Sequence, residues 1–73
     1  MYLLFVKINN CIFESNHTNG EGGAIYSDIN NIIKYCIFVY NSAEECAGGI
    51  YLDGNNNFIR CCTFAYNSSY AGG

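Results

Sequence analysis

The chain has no proline, one histidine, and only three basic residues, Lys7, Lys34 and Arg60, against six acidic ones. With a formal net charge of −3 and no basic cluster, it lacks the surface that phosphate backbones require, which excludes a nucleic-acid partner. No run approaches the roughly 18 consecutive apolar residues of a membrane span. The apolar start, Met1 to Val6, has no basic residue before it and no cleavage site after it, so it reads as a strand and not as an export signal. There is no Gly-x-Ser-x-Gly and no His-Glu-x-x-His, and the group Gly20, Gly22 and Gly23 lacks the lysine of a phosphate loop. Charged residues make up 12% of the 73, while 51% are hydrophobic and 16% aromatic, too apolar a mixture for a disordered tail. Nothing in this inventory names an enzyme, a cofactor or a metal.

What the sequence does have is a period. Residues 11–35 set over 36–60 without a gap match at ten positions: Cys11/Cys36, Ile12/Ile37, Phe13/Phe38, Asn16/Asn41, Gly23/Gly48, Ile25/Ile50, Tyr26/Tyr51, Asp28/Asp53, Asn30/Asn55 and Asn31/Asn56. After one extra residue a third copy begins, matching at Cys62, Phe64, Tyr66, Asn67 and Ser68. A repeat of 25–26 residues is the signature of a solenoid. The eight glycines fall mainly at one phase of it (Gly20/Gly22/Gly23, Gly48/Gly49, Gly72/Gly73), as turns of a regular fold do and linkers do not.

Within a repeat the segment Ile33 to Phe38 is rich in β-branched and aromatic residues and bounded by asparagines, which predicts a strand with Cys36 and Phe38 on one side. Placing that pair inward turns Ile12, Ile37 and Thr63 outward. A second short strand, Ala24-Ile25-Tyr26 or Gly49-Ile50-Tyr51, follows the glycines. Two or three short strands in about 25 residues make one coil of a parallel β-helix, an all-β solenoid of about three coils. Leucine-rich repeats need more than the three leucines present, and helical repeats need longer units with a 3.6 period. We read one β-helix unit over residues 1–73: coil 1 about 1–35 with a partial start, coil 2 36–61, and a partial coil 3 62–73. It reads as a fragment without caps.

Coils stack at the ordinary strand spacing of about 4.8 Å, so equivalent residues should form ladders. Phe13, Phe38 and Phe64 are expected to stack inside, and Asn16, Asn41 and Asn67 to form an amide ladder. Gly23 and Gly48 are expected at a tight turn with positive φ. Cys11, Cys36 and Cys62 share one column. At that spacing a disulfide or a soft-metal site is conceivable, but in-register side chains point the same way and give poor S–S torsions, so interior packing is the preferred reading. Cys61 should face away from Cys62 and be the more reactive thiol.

Asp28 and Asp53 are expected to stack as a carboxylate pair, a weak candidate for calcium or acid–base work, although turn formation accounts for both. Tyr40 and Tyr66 should stack on an outer edge, where they could platform a sugar ring. His17 reads as a solvated turn residue. The sequons Asn16-His17-Thr18 and Asn67-Ser68-Ser69 fall on the inward ladder and are expected to be buried and unmodified.

The residues resemble a known family. Cys11-Ile-Phe13-Glu-Ser-Asn16 with Gly22-Gly23-Ala24-Ile25-Tyr26, and Cys36-Ile-Phe38-Val-Tyr-Asn41 with Gly48-Gly49-Ile50-Tyr51, are similar to the polymorphic outer membrane protein repeat of autotransporter-type adhesins. The third copy runs Cys62-Thr-Phe64-Ala-Tyr-Asn67 and ends in Gly72-Gly73. The resemblance covers about residues 8–73 and implies a right-handed, pectin lyase-like β-helix in an extracellular or cell-surface protein. It implies a non-enzymatic structural and interaction module whose partner is a host-surface protein or a glycan. The autotransporter's membrane barrel is not evident in these residues. The alternative is a fragment of a carbohydrate-active β-helix enzyme of the polysaccharide lyase or hydrolase type, which would require a lysine or arginine beside stacked acids. Open coil ends also predict self-association.

Overall fold

In a computed structural model, which describes residues 1–71, the chain is a stack of short parallel strands. There are twelve strands among the described residues and no helix: β1 (Tyr2–Leu3), β2 (Lys7–Asn9), β3 (Ile12–Glu14), β4 (His17–Thr18), β5 (Ile25–Ser27), β6 (Ile32–Lys34), β7 (Ile37–Val39), β8 (Ser42–Ala43), β9 (Ile50–Leu52), β10 (Phe58–Arg60), β11 (Thr63–Ala65) and β12 (Ser68–Ser69). They form four three-stranded sheets, β1-β5-β9, β2-β6-β10, β3-β7-β11 and β4-β8-β12. Every pairing is parallel and joins one circuit of the chain to the next. This is a parallel β-helix of three four-strand coils counted from β1. The Gly72-Gly73 pair of the third copy lies outside the described residues.

Each coil turns by a device that strand propensity alone does not reveal. Ile33 to Phe38 is not one strand: β6 and β7 are separated by Tyr35 and Cys36, with Tyr35 at φ 55°. The same left-handed corner recurs every five residues, at Phe5, Asn10 and Ser15 in the first coil and at Asn30, Tyr35 and Tyr40 in the second. Asn56, Cys61 and Tyr66 take these places in the third. A left-handed non-glycine residue costs about 1–2 kcal/mol, so the corners persist only because the ladders on either side hold them. The residue after the corner points inward, which is why Cys11, Cys36 and Cys62 and, five residues later, Asn16, Asn41 and Asn67 occupy fixed phases.

The first turn of each coil lengthens along the stack. Three residues separate β1 from β2, four separate β5 from β6, and five separate β9 from β10. The asparagine matches must therefore be corrected. Asn30 N–H donates to Asn55 O, and Asn31 N–H donates to Asn57 Oδ1. These bonds set Asn30 over Asn56, both at positive φ, and Asn31 over Asn57, so the added residue lies between Asp53 and Asn56.

The core is the interior of the middle coil: Ile25, Ile33, Cys36 and Phe38 are all at or below 1% exposure, with Leu3 and Ala24 beside them. Phe38 lies between Phe13 and Phe64, both centroid separations being 4.8 Å with rings within 6° of parallel. Ile12, Ile37 and Thr63 face outward. The expected positive φ at Gly23 and Gly48 is not found; it belongs to the residue before each, Gly22 at 73° and Ala47 at 60°. Gly23 and Gly48 are required for a different reason. A Cβ on Gly23 would overlap the carbonyl oxygens of Ser42 and Gly48, and one on Gly48 would overlap the Ser68 backbone.

Candidate interaction surfaces

The inward corner residues spend their polar atoms on the stack. Each column thiol donates to the carbonyl two residues back, Cys11 to Asn9, Cys36 to Lys34 and Cys62 to Arg60, all at 3.2 Å. All five cysteines are free, with Cys11 and Cys61 exposed, Cys36 buried, and Cys46 and Cys62 between. Asn16 donates both its N–H and its Nδ2 to Asn41 Oδ1 at 3.0 Å, and Asn41 does the same to Asn67 Oδ1 at 2.9 Å. Asn41 Nδ2 also reaches Phe13 O, and Asn67 Nδ2 reaches Phe38 O. The ladder therefore has a direction, from donor in one coil to acceptor in the next.

Burial of the two sequons is not found as expected: Asn16 is exposed and Asn67 half-buried, because each stands at an end of the ladder where no further coil covers it. Only Asn41, between them, is buried.

Outside, Tyr2, Tyr26 and Tyr51 form a column in register through β1, β5 and β9. Their ring centroids are 5.4 and 5.1 Å apart. Acids flank it. Asp28 accepts the Tyr2 hydroxyl proton, and the hydrogen bond to Asp53 pushes Tyr26 up to about 12. The charge of Glu21 is the main influence raising Tyr51. Asp28 and Asp53 each serve the tyrosine of the preceding coil, so each carboxylate is engaged by a phenol. Among the described residues no group of three or more His, Cys, Asp or Glu is placed to hold a metal ion.

Tyr40 and Tyr66, both at left-handed corners, stack at 5.1 Å and 10°. Each uses one ring face on the other, leaving edges, hydroxyls and one outer face apiece for solvent. His17 is not a lone turn residue. It sits in β4, with Nδ1 2.7 Å from Ser42 Oγ and Nε2 3.4 Å from Glu44 Oε2. The Ser–His–Glu order is that of an activated nucleophile, but more than half of the His17 and Glu44 side chains is in water, and a flat strand row does not enclose a substrate. It is a polar strap across two coils. A shallow concavity of about 220 Å³ lies elsewhere, lined by Phe64, Ala65, Tyr66 and Asn67.

From Asn10 through Asp28 the chain runs through one thiol corner, β3, one asparagine corner, β4, the glycine turn and the Ile-Tyr strand β5. Residues 10–28 match the Chlamydia polymorphic membrane protein repeat. The matched segment holds here the cysteine, phenylalanine and asparagine ladder positions of one coil and its glycine turn. Its Phe and Asn are the core stack and the amide ladder, and its Gly-Gly is the place where a Cβ would strike the adjacent backbone. Comparison with the curated proteins and with the solved structures gives no match. No helix among the described residues is long and apolar enough to cross a membrane.

Proposed function

We propose that the chain is a non-enzymatic structural and interaction module of an adhesin-like, surface or secreted β-helix protein. The observation that carries this reading is the division of labour within each coil. Inward side chains are used for stacking, and one outward column, Tyr2, Tyr26 and Tyr51, repeats the same chemistry through all three coils. The most developed outward array is the Tyr2–Tyr26–Tyr51 column with Asp28, Asp53 and Glu21. Its ring faces are used within the stack, so it offers edges, hydroxyl oxygens and carboxylate lone pairs. That set suits the hydroxyls of a glycan or the ammonium groups of a host-surface protein. The match to a polymorphic membrane protein repeat supports a cell-surface setting. Tyr40 and Tyr66 would add a second, smaller contact.

The test is binding of the purified chain to immobilised glycans and to intact host cells, beside a Tyr26→Ser/Tyr51→Ser variant. Saturable binding by the parent, weakened at least tenfold in the variant, is expected. Release of unsaturated or reducing uronides from a polyuronide by the parent chain would replace this reading with the enzymatic one.

A further inference from the structure

The three basic residues of the chain are far apart in sequence but share one face. We propose that this face binds an anionic polysaccharide, a sugar chain carrying sulfate or carboxylate groups. Lys7, Lys34 and Arg60 lie on β2, β6 and β10, the strands of one sheet. The middle residues of these strands, Ile8, Ile33 and Ile59, pack in the core, so the residues on either side of them point outward. None of the six acidic residues lies on these strands. This is a different face from that of the Tyr2–Tyr26–Tyr51 column, which carries acids.

Lys34 and Arg60 are register partners, two like charges at the ordinary strand spacing of about 4.8 Å. Lys7 stands on the diagonal, two residues before Asn9, the partner of Lys34 in the first coil. Like charges directly opposite each other destabilise a sheet, and among the described residues no carboxylate pairs with any of the three. An anionic group held between Lys34 and Arg60 removes that repulsion. The guanidinium offers a fork of N–H donors to two oxygens of one sulfate or carboxylate, and the ammonium adds a point charge.

Tyr35 supplies a surface for the sugar ring. It follows Lys34 at a left-handed corner, and its N–H donates to Arg60 O at 3.1 Å, which fixes the corner against the second cation. Its column runs Asn10, Tyr35, Cys61, all at left-handed φ, and no ring stacks on Tyr35 among the described residues. The other tyrosine columns spend ring faces on each other. Tyr35, 59% exposed, keeps its own for the apolar face of a pyranose. Lys34 and Tyr35 belong to the middle coil and have both column neighbours within the chain, so their surroundings are the same whatever coils stack beyond these three. Three cations and one ring on a flat sheet are too few for a phosphate backbone but match a short stretch of charged sugars.

The test is binding of the purified chain to dextran sulfate and to polygalacturonate, with neutral dextran and oligothymidylate as comparisons. At least one of the acidic polysaccharides should bind saturably and weaken about tenfold as salt rises from about 50 to about 200 mM, and neutral dextran should not bind. Lys34→Asn/Arg60→Asn installs the residue that the first coil has in this column, and Tyr35→Asn does the same at the corner. With a β-rich circular dichroism spectrum retained, the first should weaken binding about tenfold or more and flatten its salt dependence. The second should weaken it about threefold with the salt dependence kept. The exchange Lys34→Arg/Arg60→Lys keeps both groups on adjacent strands and should bind as the parent does. Tyr26→Ser/Tyr51→Ser should also bind the acidic polysaccharide as the parent does, which separates this site from the tyrosine column. Equal binding by the parent and Lys34→Asn/Arg60→Asn, or no binding of either acidic polysaccharide, would overturn the proposal. Oligothymidylate bound more tightly than both would replace the polysaccharide with a nucleic acid. Should a variant not fold, acylation of the parent chain decides: bound polysaccharide should slow the reaction of the Lys34 amine about threefold or more, and an unchanged rate there contradicts the site.

Discussion

Phe38 shows how unevenly the stability of this molecule is distributed among chemically equal residues. It has no solvent exposure and a phenylalanine on each face, while Phe64, one coil along, is 47% exposed. Removing a buried phenylalanine costs about 3–5 kcal/mol, comparable with the entire stability of a small domain. Phe38→Ala should therefore unfold the chain, whereas Phe64→Ala should cost about 1 kcal/mol, since much of that ring is already in water. Urea unfolding of the three proteins followed by circular dichroism measures both. Tyr26 makes a separate point. Its hydrogen bond to Asp53 raises its pKa from 10.0 to about 12. The folded state then holds a proton that the unfolded state releases, so this contribution is complete below pH 10 and is lost as pH rises through about 12. Ultraviolet titration should show the Tyr26 phenolate appearing late, and Tyr26→Phe should flatten the decline in stability over that window.

At the scale of elements, the Gly48-Gly49 pair separates two uses of glycine. A Cβ on Gly48 would overlap Ser68 and Asn41 backbone, which cannot move without breaking the coil. A Cβ on Gly49 would be tight only against the Phe64 ring edge, at 3.2 Å, with Asn67 Nδ2 at an ordinary 3.5 Å, and that ring is half in water and can shift. Gly48→Ala should abolish the cooperative melt, and Gly49→Ala should lower its midpoint by only a few degrees. The periodic glycines made the turn legible in the sequence, but not its cause. Spacing can say that a position repeats; it cannot say whether φ or the approach of the next coil demands glycine, and here the left-handed residues are Gly22 and Ala47, one place earlier. The strand corners were hidden for a related reason. Tyr35 and Tyr40 have strong strand propensity, yet both occupy left-handed corners because stacking outweighs local preference. Asn30 and Asn31 were matched one position early because adjacent asparagines leave the site of an insertion undetermined. Only the hydrogen bonds of Asn31 with Asn57 place it. The pairing of each aspartate with the tyrosine of the preceding coil was equally out of reach, since it depends on how far a phenol extends along the outside of the stack.

At the scale of the molecule, the central claim is that residues 24 to 26 apart lie side by side in parallel, coil on coil. Each coil touches only its neighbours, and the middle one alone is covered on both sides, which concentrates the core in β5 to β8. The most direct measurement is a solution NMR map of aromatic contacts at low concentration, with the phenylalanine rings selectively labelled. Contacts of Phe38 with both Phe13 and Phe64, and none between Phe13 and Phe64, are the predicted result. A Phe13–Phe64 contact within one chain, or antiparallel hairpin contacts between β6 and β7, would contradict the coil-on-coil arrangement.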